Sequence, residues 1–254
     1  MEVLNITLNE ERNVRLTAYI QSIGGEYWGM EKRPAMIILP GGGYQYCSAR
    51  EADPVAFPYL QAGYQVFILY YSVKEHSIWP NPLNDYDQAF DLIKSKADEW
   101  HIDISRTAVI GFSAGGHLAA CVATSARNKP KACILGYPVI DEETTHRYNK
   151  NAPDASTLVD ENTCPCFIFA STNDGVVNIR NSIKFIDALA INNIPFETHF
   201  YAFANHGFTT CDSQIQNRTW ICTRTPNWVK DSVEWLKDMV GDFKDGVLTD
   251  RYWW

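Results

Sequence analysis

The sequence predicts an α/β protein in which a mainly parallel sheet of about eight strands lies between two layers of helices. Short apolar runs alternate with amphipathic stretches along the chain, and strands that alternate with helices form parallel sheets covered on both faces. Several apolar runs are continuous, such as AMIIL at Ala35–Leu39, which is typical of strands buried on both faces. No repeat, low-complexity tract or long linker divides the 254 residues, so we predict one domain, 1–254.

The individual elements follow from periodicity. Val3–Leu8 and Val14–Ile20 alternate apolar and polar residues, as half-exposed antiparallel strands do, and are expected to extend one edge of the sheet. The other six predicted strands are Ala35–Leu39, Tyr64–Tyr71, Thr107–Gly111, Ala132–Tyr137, Cys166–Ala170 and Phe196–Tyr201. The predicted helices are Asp53–Ala62, Asp85–Trp100, Ala114–Ser125, Asn178–Ile191 and Thr225–Val240.

Composition and charge exclude several classes of function. With 46% hydrophobic and 20% charged residues, the chain has the composition of a soluble globular enzyme. A net charge of −8, with no cluster of lysine and arginine, argues against nucleic-acid binding. The chain has neither the apolar run of about 20 residues that spans a membrane nor a signal-peptide pattern after Met1. We therefore expect a cytoplasmic protein with no membrane partner, and homo-oligomer formation is left open.

The cysteines do not form a metal-binding pattern. All 7 are scattered, and Cys133 and Cys166 fall inside apolar strands, where a reduced cysteine behaves as a small hydrophobic residue. Cys164 and Cys166 form a C-x-C pair without a second pair or a histidine at ligand spacing. The cysteine pattern therefore predicts no metal site, and the serine chemistry inferred below needs no other cofactor.

A G-x-S-x-G pattern, GFSAG at residues 111–115, is the most informative motif, and we call this segment the serine turn. It follows an apolar strand and opens a helix, which is the arrangement of a nucleophile elbow. Side chains at Gly111 and Gly115 would collide with neighbouring backbone in such a strained turn. The pattern predicts that Ser113 is a nucleophile; the alternative is a glycine-rich turn in which the serine is incidental.

A second glycine-rich segment, PGGGY at residues 40–44, follows the strand Ala35–Leu39, and we call it the glycine loop. In hydrolases a loop at this position donates main-chain N–H groups to the oxyanion. We expect Gly42 and Gly43 to donate, together with Ala114, which follows the nucleophile. A phosphate-binding loop is the alternative, but the G-x-G-x-x-G spacing and the Lys-Ser/Thr pair are missing, which argues against a nucleotide site.

A serine nucleophile needs a histidine base and an orienting carboxylate, which follow it in the order Ser, acid, His. His117 is predicted to pack within its helix, and His146 lies in a polar stretch, whereas His206 follows the last strand on a loop. Asp174 directly follows the strand Cys166–Ala170. We therefore predict His206 as the base and Asp174 as the acid. The competing acids either follow the preceding strand or precede a strand: Asp141, Glu142, Glu143, Asp160 and Glu161.

These motifs resemble those of small carboxylesterases of the α/β-hydrolase superfamily, often described as acetyl-xylan, feruloyl or sugar esterases and related to hormone-sensitive-lipase-like esterases. The resemblance extends over nearly the whole chain and rests on PGGGY with the following Ser48, Glu51, Ala56 and Gly63-Tyr64, and on GFSAGGH, YPVI, ASTNDGVV and NHGF. It implies an α/β-hydrolase fold and hydrolysis of carboxylic esters, often short acyl groups on carbohydrates. The related lipases have His-Gly-Gly-Gly where this chain has Pro40-Gly41-Gly42-Gly43, a difference that keeps the N–H donors.

The expected substrate is a small-molecule ester with an acetyl or similarly short acyl group. Residues 141–164, between two strands, are predicted to form a lid too short to cover a long lipid tail. Tyr44 and Tyr46 border the glycine loop and are predicted pocket walls, and Trp79 is predicted either to stack on a sugar ring or to anchor its loop. Two alternatives remain open: an amidase, formamidase or lactonase with the same triad, and a non-catalytic binding protein on a hydrolase scaffold.

Overall fold

An eight-stranded sheet, in the order β1-β2-β4-β3-β5-β6-β7-β8, forms the centre of the protein. The structure is a computed structural model and describes residues 1–27 and 29–250. The strands are β1 (Glu2–Asn9), β2 (Val14–Ile20), β3 (Arg33–Leu39), β4 (Gln65–Tyr70), β5 (Ile102–Phe112), β6 (Ala132–Gly136), β7 (Cys166–Ser171) and β8 (Phe196–Tyr201). β2 pairs antiparallel with β1 and with β4, and the other neighbours are parallel. The predicted sheet, including its antiparallel edge, is confirmed.

Six α-helices accompany the sheet in the described part of the chain. They are α1 (Asp53–Gln61), α2 (Asn81–Ser95), α3 (Ser113–Ser125), α4 (Glu142–Tyr148), α5 (Arg180–Ile191) and α6 (Asn227–Met239). Four 3-10 helices lie in the connections, at Ala49–Glu51, Lys74–His76, Ala155–Leu158 and Arg218–Trp220. None of the helices in residues 1–27 and 29–250 has both the length and the apolar character needed to cross a membrane.

Each face of the sheet is covered by its own hydrophobic cluster. Because side chains alternate along a strand, the neighbouring residues Ile37 and Ile38 of β3 belong to different clusters. We name the two clusters the Ile37 cluster and the Ile38 cluster. The Ile37 cluster contains residues of α2, α3 and α5, such as Phe185, and the Ile38 cluster contains residues of α1 and α6, such as Trp228. Burial of β3 on both faces explains its continuous apolar sequence.

The structure differs from the sequence prediction in the bounds of several elements; β5, for example, begins at Ile102 rather than at Thr107, and α2 ends at Ser95 rather than at Trp100. α2 begins at Asn81 rather than at Asp85, because Pro82 lies in its first turn, where a proline loses no helical hydrogen bond. A C-terminal hairpin of β9 (Asp242–Lys244) and β10 (Val247–Thr249) was not expected. Residues 141–164 contain α4 and the 3-10 helix Ala155–Leu158, and their role as a lid stays a prediction.

The helix α3 packs so closely on the sheet that two glycines are needed. A Cβ atom on Gly111 would lie 2.1 Å from the carbonyl oxygen of Gly115, and one on Gly115 would lie 2.1 Å from that of Leu39. Both obstacles are backbone atoms, which cannot rotate away as a side chain could. The two flanking glycines of the serine turn therefore allow α3 to start directly behind β3 and β5.

His117, a fully buried residue of α3, joins two connecting segments across the core. Its Nδ1 lies 2.7 Å from the hydroxyl of Tyr44 in the glycine loop, and its Nε2 lies 2.8 Å from the carbonyl oxygen of Pro153. With Nε2 protonated, the neutral ring donates to Pro153 and accepts from Tyr44. Burial lowers the pKa of His117 to about 4, from an ordinary value of 6.5. The prediction that His117 packs as a residue of its helix is confirmed. Its two hydrogen-bond partners were not predicted from the sequence.

Substitution Gly115→Ala should lower the free energy of unfolding by about 1–3 kcal/mol, because the added Cβ has to displace backbone of β3. Urea denaturation measures the effect. Gly175→Ala is the matched control, since a Cβ at Gly175 meets nothing within 4 Å. Equal stability of the Gly115→Ala protein and the control would contradict the packing described above.

Substitution His117→Gln should flatten the dependence of stability on pH. The unfolded chain protonates this histidine below pH 6.5, whereas the folded chain does so only near its folded pKa of about 4. The wild-type free energy of unfolding therefore falls by roughly 3 kcal/mol more than that of the variant as the pH decreases through this window. Urea denaturation across the window measures it, with His146→Gln as control. Equal pH slopes for wild type and His117→Gln would refute the prediction.

Candidate active site

The serine turn places Ser113 at the junction of β5 and α3. Its φ angle of 53° lies in the left-handed region, where a non-glycine residue is strained. In a nucleophile elbow this conformation directs the hydroxyl away from the strand end into the site. Because α3 begins at Ser113, the N–H of Ala114 is one of the first four of the helix, which have no intrahelical acceptor.

Ser113, His206 and Asp174 form one continuous hydrogen-bonded chain. The Oγ of Ser113 lies 2.9 Å from Nε2 of His206, and Nδ1 of His206 lies 2.7 Å from Oδ2 of Asp174. The Asp174 side chain is only 1% exposed, and its other oxygen accepts from the N–H groups of Val176 and Val177. A carboxylate held in this way orients the imidazole with Nδ1 protonated, so that Nε2 can accept the serine proton.

Asn173 attaches the loop that carries His206, residues 202–211, to the loop that carries Asp174. Its Oδ1 accepts from the backbone N–H groups of Ala204 at 3.0 Å and Asn205 at 3.1 Å. Its Nδ2 donates to the side chain of Asn205 at 3.1 Å. These contacts fix the separation of Asp174 and His206. The sequence analysis missed this role, although Asn173 is the neighbour of the predicted acid.

The glycine loop presents unpaired N–H groups beside Ser113. Gly42 has a φ of 131°, and a Cβ there would lie 2.1 Å from the carbonyl oxygen of Tyr46; Gly43 has a φ of 61°. Across residues 1–27 and 29–250, no backbone or side-chain acceptor binds the N–H of Gly42 or of Gly43. Both glycines line the pocket that contains Ser113. The loop can therefore donate to a substrate oxygen.

The pocket around Ser113 and His206 has a volume of about 320 Å³. Tyr46 lies in its wall and is 59% exposed, and its role in substrate binding stays a prediction. The wall also contains residues to which no role was assigned from the sequence: Gln45, Arg50, Glu51, Tyr148 and Val176. Tyr148 comes from α4, so residues 141–164 contribute to the pocket.

Two predicted pocket residues lie elsewhere. Tyr44 is fully buried with its hydroxyl bonded to His117, and the wall of the pocket does not include it. Trp79 is partly buried; it packs edge to face on His117 at a centroid distance of 5.6 Å and lies against the core on that face of the sheet. The interpretation of Tyr44 as a pocket wall is corrected, because His117 satisfies its hydroxyl inside the core. Trp79 was predicted either to stack on a sugar ring or to anchor its loop, and its position corresponds to the second alternative.

Glu51 is the one charged group in this pocket that is itself buried, with 5% exposure, among the residues described. Its two carboxylate oxygens accept from the N–H of Gly41 at 2.8 Å and from the hydroxyl of Tyr137 at 2.6 Å. Burial raises the pKa of Glu51 from its ordinary value, while these two donors act in the opposite direction. Nothing in the local sequence around Glu51 indicates the partner at Tyr137, which lies 86 positions away.

No group of three or more histidine, cysteine, aspartate or glutamate side chains in the described residues is arranged to hold a metal ion. Cys164 and Cys166, which form the C-x-C pair, are both buried in the core.

Comparison with known proteins agrees with the fold described above. The BD-FAE family model matches residues 28–153. The crystal structure of MGS-M1, an α/β-hydrolase enzyme from a Medee basin deep-sea metagenome library, is 39% identical and has a TM-score of 0.87, and the match covers 94% of this chain and 98% of that chain. The expected α/β-hydrolase fold is confirmed.

Two curated relatives are longer than this chain. Endo-1,4-beta-xylanase B of Butyrivibrio fibrisolvens is 30% identical over 72% of this chain and 34% of its own length. The acetylxylan esterase of Xylanibacter ruminicola is 27% identical over 68% of this chain and 41% of its own length. The chain thus matches less than half of either relative, whereas it matches MGS-M1 almost end to end. Taken with the eight-stranded sheet and the serine turn, these matches show that the chain belongs to the esterase-like family of α/β-hydrolases.

Proposed function

We propose that the protein is a serine carboxylesterase that removes acetyl or similarly short acyl groups from carbohydrates or other small alcohols. The observation that carries this proposal is the chain of 2.9 Å and 2.7 Å contacts from Ser113 through His206 to Asp174, in a pocket that also contains two unpaired glycine N–H groups. Its similarity to an acetylxylan esterase supports the carbohydrate ester as substrate.

In the first half of the reaction, Ser113 Oγ attacks the carbonyl carbon of the ester while His206 Nε2 takes the serine proton. Asp174 accepts from Nδ1 and stabilises the imidazolium that forms. The N–H groups of Gly42, Gly43 and Ala114 stabilise the negative charge on the carbonyl oxygen, each donor contributing about 2.7–4 kcal/mol to the transition state. His206 then protonates the departing alkoxide, and the acyl group remains bonded to Ser113.

In the second half, water hydrolyses the acyl-enzyme. His206 removes a proton from the water as its oxygen attacks the acyl carbon, and the same N–H groups stabilise the second oxyanion. Collapse of this intermediate breaks the bond to Ser113 Oγ, which recovers its proton from His206. The carboxylic acid leaves and the triad returns to its initial state.

The walls of the pocket favour a short acyl group. Gly43 faces the ring of Tyr148, since a Cβ at Gly43 would lie 3.1 Å from it. The space beside the N–H donors is therefore limited by an aromatic ring from residues 141–164, which we infer act as a short lid. The exposed Tyr46 and the polar side chains of Gln45 and Arg50 lie in the same wall, a combination that suits the hydroxyls and apolar faces of a sugar.

Wild-type protein should hydrolyse p-nitrophenyl acetate faster than the butyrate, and the octanoate least. Ser113→Ala should lose activity by a factor on the order of 10⁴ or more, because it removes the nucleophile. Release of p-nitrophenol measures both results. Ser95→Ala, at an exposed serine of α2, is the matched control.

Acetate release from acetylated xylo-oligosaccharides then tests the carbohydrate substrate. Absence of cleavage of every ester by folded wild type would refute the proposal and favour an amide or lactone substrate.

His206→Ala and Asp174→Asn should both impair acyl transfer, to different extents. Loss of the base should reduce kcat by on the order of 10⁵–10⁶, whereas Asp174→Asn, which alters the favoured tautomer of His206, should reduce it by about 10⁴. Steady-state kinetics measure kcat, and the rate of labelling of Ser113 by a fluorophosphonate follows nucleophilicity independently of turnover. Wild-type labelling rates in either variant would show that the triad assignment is wrong.

A further inference from the structure

The carboxylate of Glu51 lies next to the triad without belonging to it. Glu51 ends the 3-10 helix Ala49–Glu51, and its oxygens accept from Gly41 N–H and the Tyr137 hydroxyl, as described above. Removal of a carboxylate from water is unfavourable unless donors replace the lost hydration. Here one donor, Gly41, lies in the glycine loop, and the other, Tyr137, lies after β6. The buried side chain of Glu51 therefore connects two different parts of the site.

The first connection fixes the glycine loop. Gly41 immediately precedes the two glycines proposed as oxyanion donors, and its peptide is held between Glu51 and the serine turn. A Cβ on Gly41 would lie 2.7 Å from Oε2 of Glu51 and 3.0 Å from Cβ of Ser113. The hydrogen bond from Gly41 to Glu51 therefore determines how far Gly42 and Gly43 lie from the nucleophile.

The second connection reaches the loop that carries His206. Tyr137 follows β6 with a φ of 37°, and its ring lies edge to face against the ring of His206 at a centroid distance of 5.0 Å. Its hydroxyl donates to Glu51 and accepts from the backbone N–H of Thr209 at 3.3 Å. The orientation of Tyr137, and with it one face of the base, thus depends on Glu51.

We propose that Glu51 is a positioning residue that holds the glycine loop and the His206 loop at the correct distance from Ser113. This inference rests on the proposed esterase function. Only a carboxylate has two oxygens that can both accept at this position; a glutamine offers one acceptor and one donor group. In a Glu51→Gln variant whose amide oxygen accepts from Gly41, the amide N–H₂ faces Tyr137, whose hydroxyl loses its acceptor. Displacements of about 1 Å between reacting groups can cost about 100-fold in rate.

A purely structural role predicts a different outcome. If Glu51 only satisfied buried donors, its replacement would lower the free energy of unfolding and leave kcat of the folded protein unchanged. A positioning role instead lowers kcat, leaves KM nearly unchanged, and weakens the binding of transition-state analogues. The decisive readout is the affinity for an alkyl trifluoromethyl ketone, which forms a tetrahedral adduct with a serine oxygen and places an oxyanion at the glycine loop.

The experiment compares wild type, Glu51→Gln, Tyr137→Phe and the double variant with p-nitrophenyl acetate and the trifluoromethyl ketone. Glu51→Gln should lower kcat about 10- to 100-fold, with KM changed less than about threefold, and should weaken inhibitor binding by a similar factor. Tyr137→Phe keeps the Gly41 contact and should show a smaller loss. The double variant should be no slower than Glu51→Gln, because Tyr137 acts through the same carboxylate. Glu161→Gln, at an exposed glutamate, is the matched control.

The outcomes separate this inference from the proposed function. An inactive wild type whose Ser113 resists fluorophosphonate would refute the esterase proposal. Wild-type kcat and inhibitor affinity in Glu51→Gln, in a protein that does hydrolyse the ester, would overturn only the role of Glu51. If Glu51→Gln does not fold, Tyr137→Phe decides, since an unchanged kcat and inhibitor affinity there would overturn the connection to the His206 loop.

Discussion

The register of the central parallel strands determines where every part of the site lies. β3 pairs with β5 up to Leu39 and Gly111, and β5 pairs with β6 up to Phe112 and Gly136. The three strands therefore end side by side, and the chain that leaves each of them enters the same space. The strand register alone therefore makes the glycine loop, the serine turn and Tyr137 neighbours. A slip of one residue in this pairing would separate the proposed oxyanion donors from the nucleophile.

The glycine loop is attached to the two opposite sides of the sheet by two buried polar contacts. Tyr44 at its end enters the Ile37 cluster and bonds to His117, whereas Gly41 near its start bonds to Glu51, whose partner Tyr137 belongs to the Ile38 cluster. The N–H groups of Gly42 and Gly43, between these attachments, have no acceptor among the described residues, and both glycines line the pocket. A loop held at both ends can keep such donors oriented in the absence of substrate, which is the preorganisation that oxyanion stabilisation requires.

Much of this architecture could be predicted from the sequence, because local signals carry it. Continuous apolar runs identify the buried strands. The glycines of the serine turn are explained by sterics, because a Cβ on Gly111 or Gly115 would lie only 2.1 Å from a backbone carbonyl oxygen. The choice of Asp174 and His206 as partners of Ser113 rested on the strands that each of them follows. The remaining features depend on partners distant in the chain: burial of Tyr44 follows from His117, and the position of Glu51 follows from Tyr137. The strands of the C-terminal hairpin, three residues each, are too short for a periodicity to emerge.

The strand that leads to His206 is at the rim of the sheet, whereas the strand that leads to Ser113 is near its middle. Among the described residues, β8 pairs with β7 alone and is largely exposed, whereas β5 is paired on both sides and buried over its second half. Rim strands open locally at lower free energy than central ones. Ser113 and His206, the proposed proton-transfer pair, thus follow strands of very different local stability. Fraying of the rim would leave the serine in place and withdraw its base, so the chemistry would be lost while most of the folded core persists.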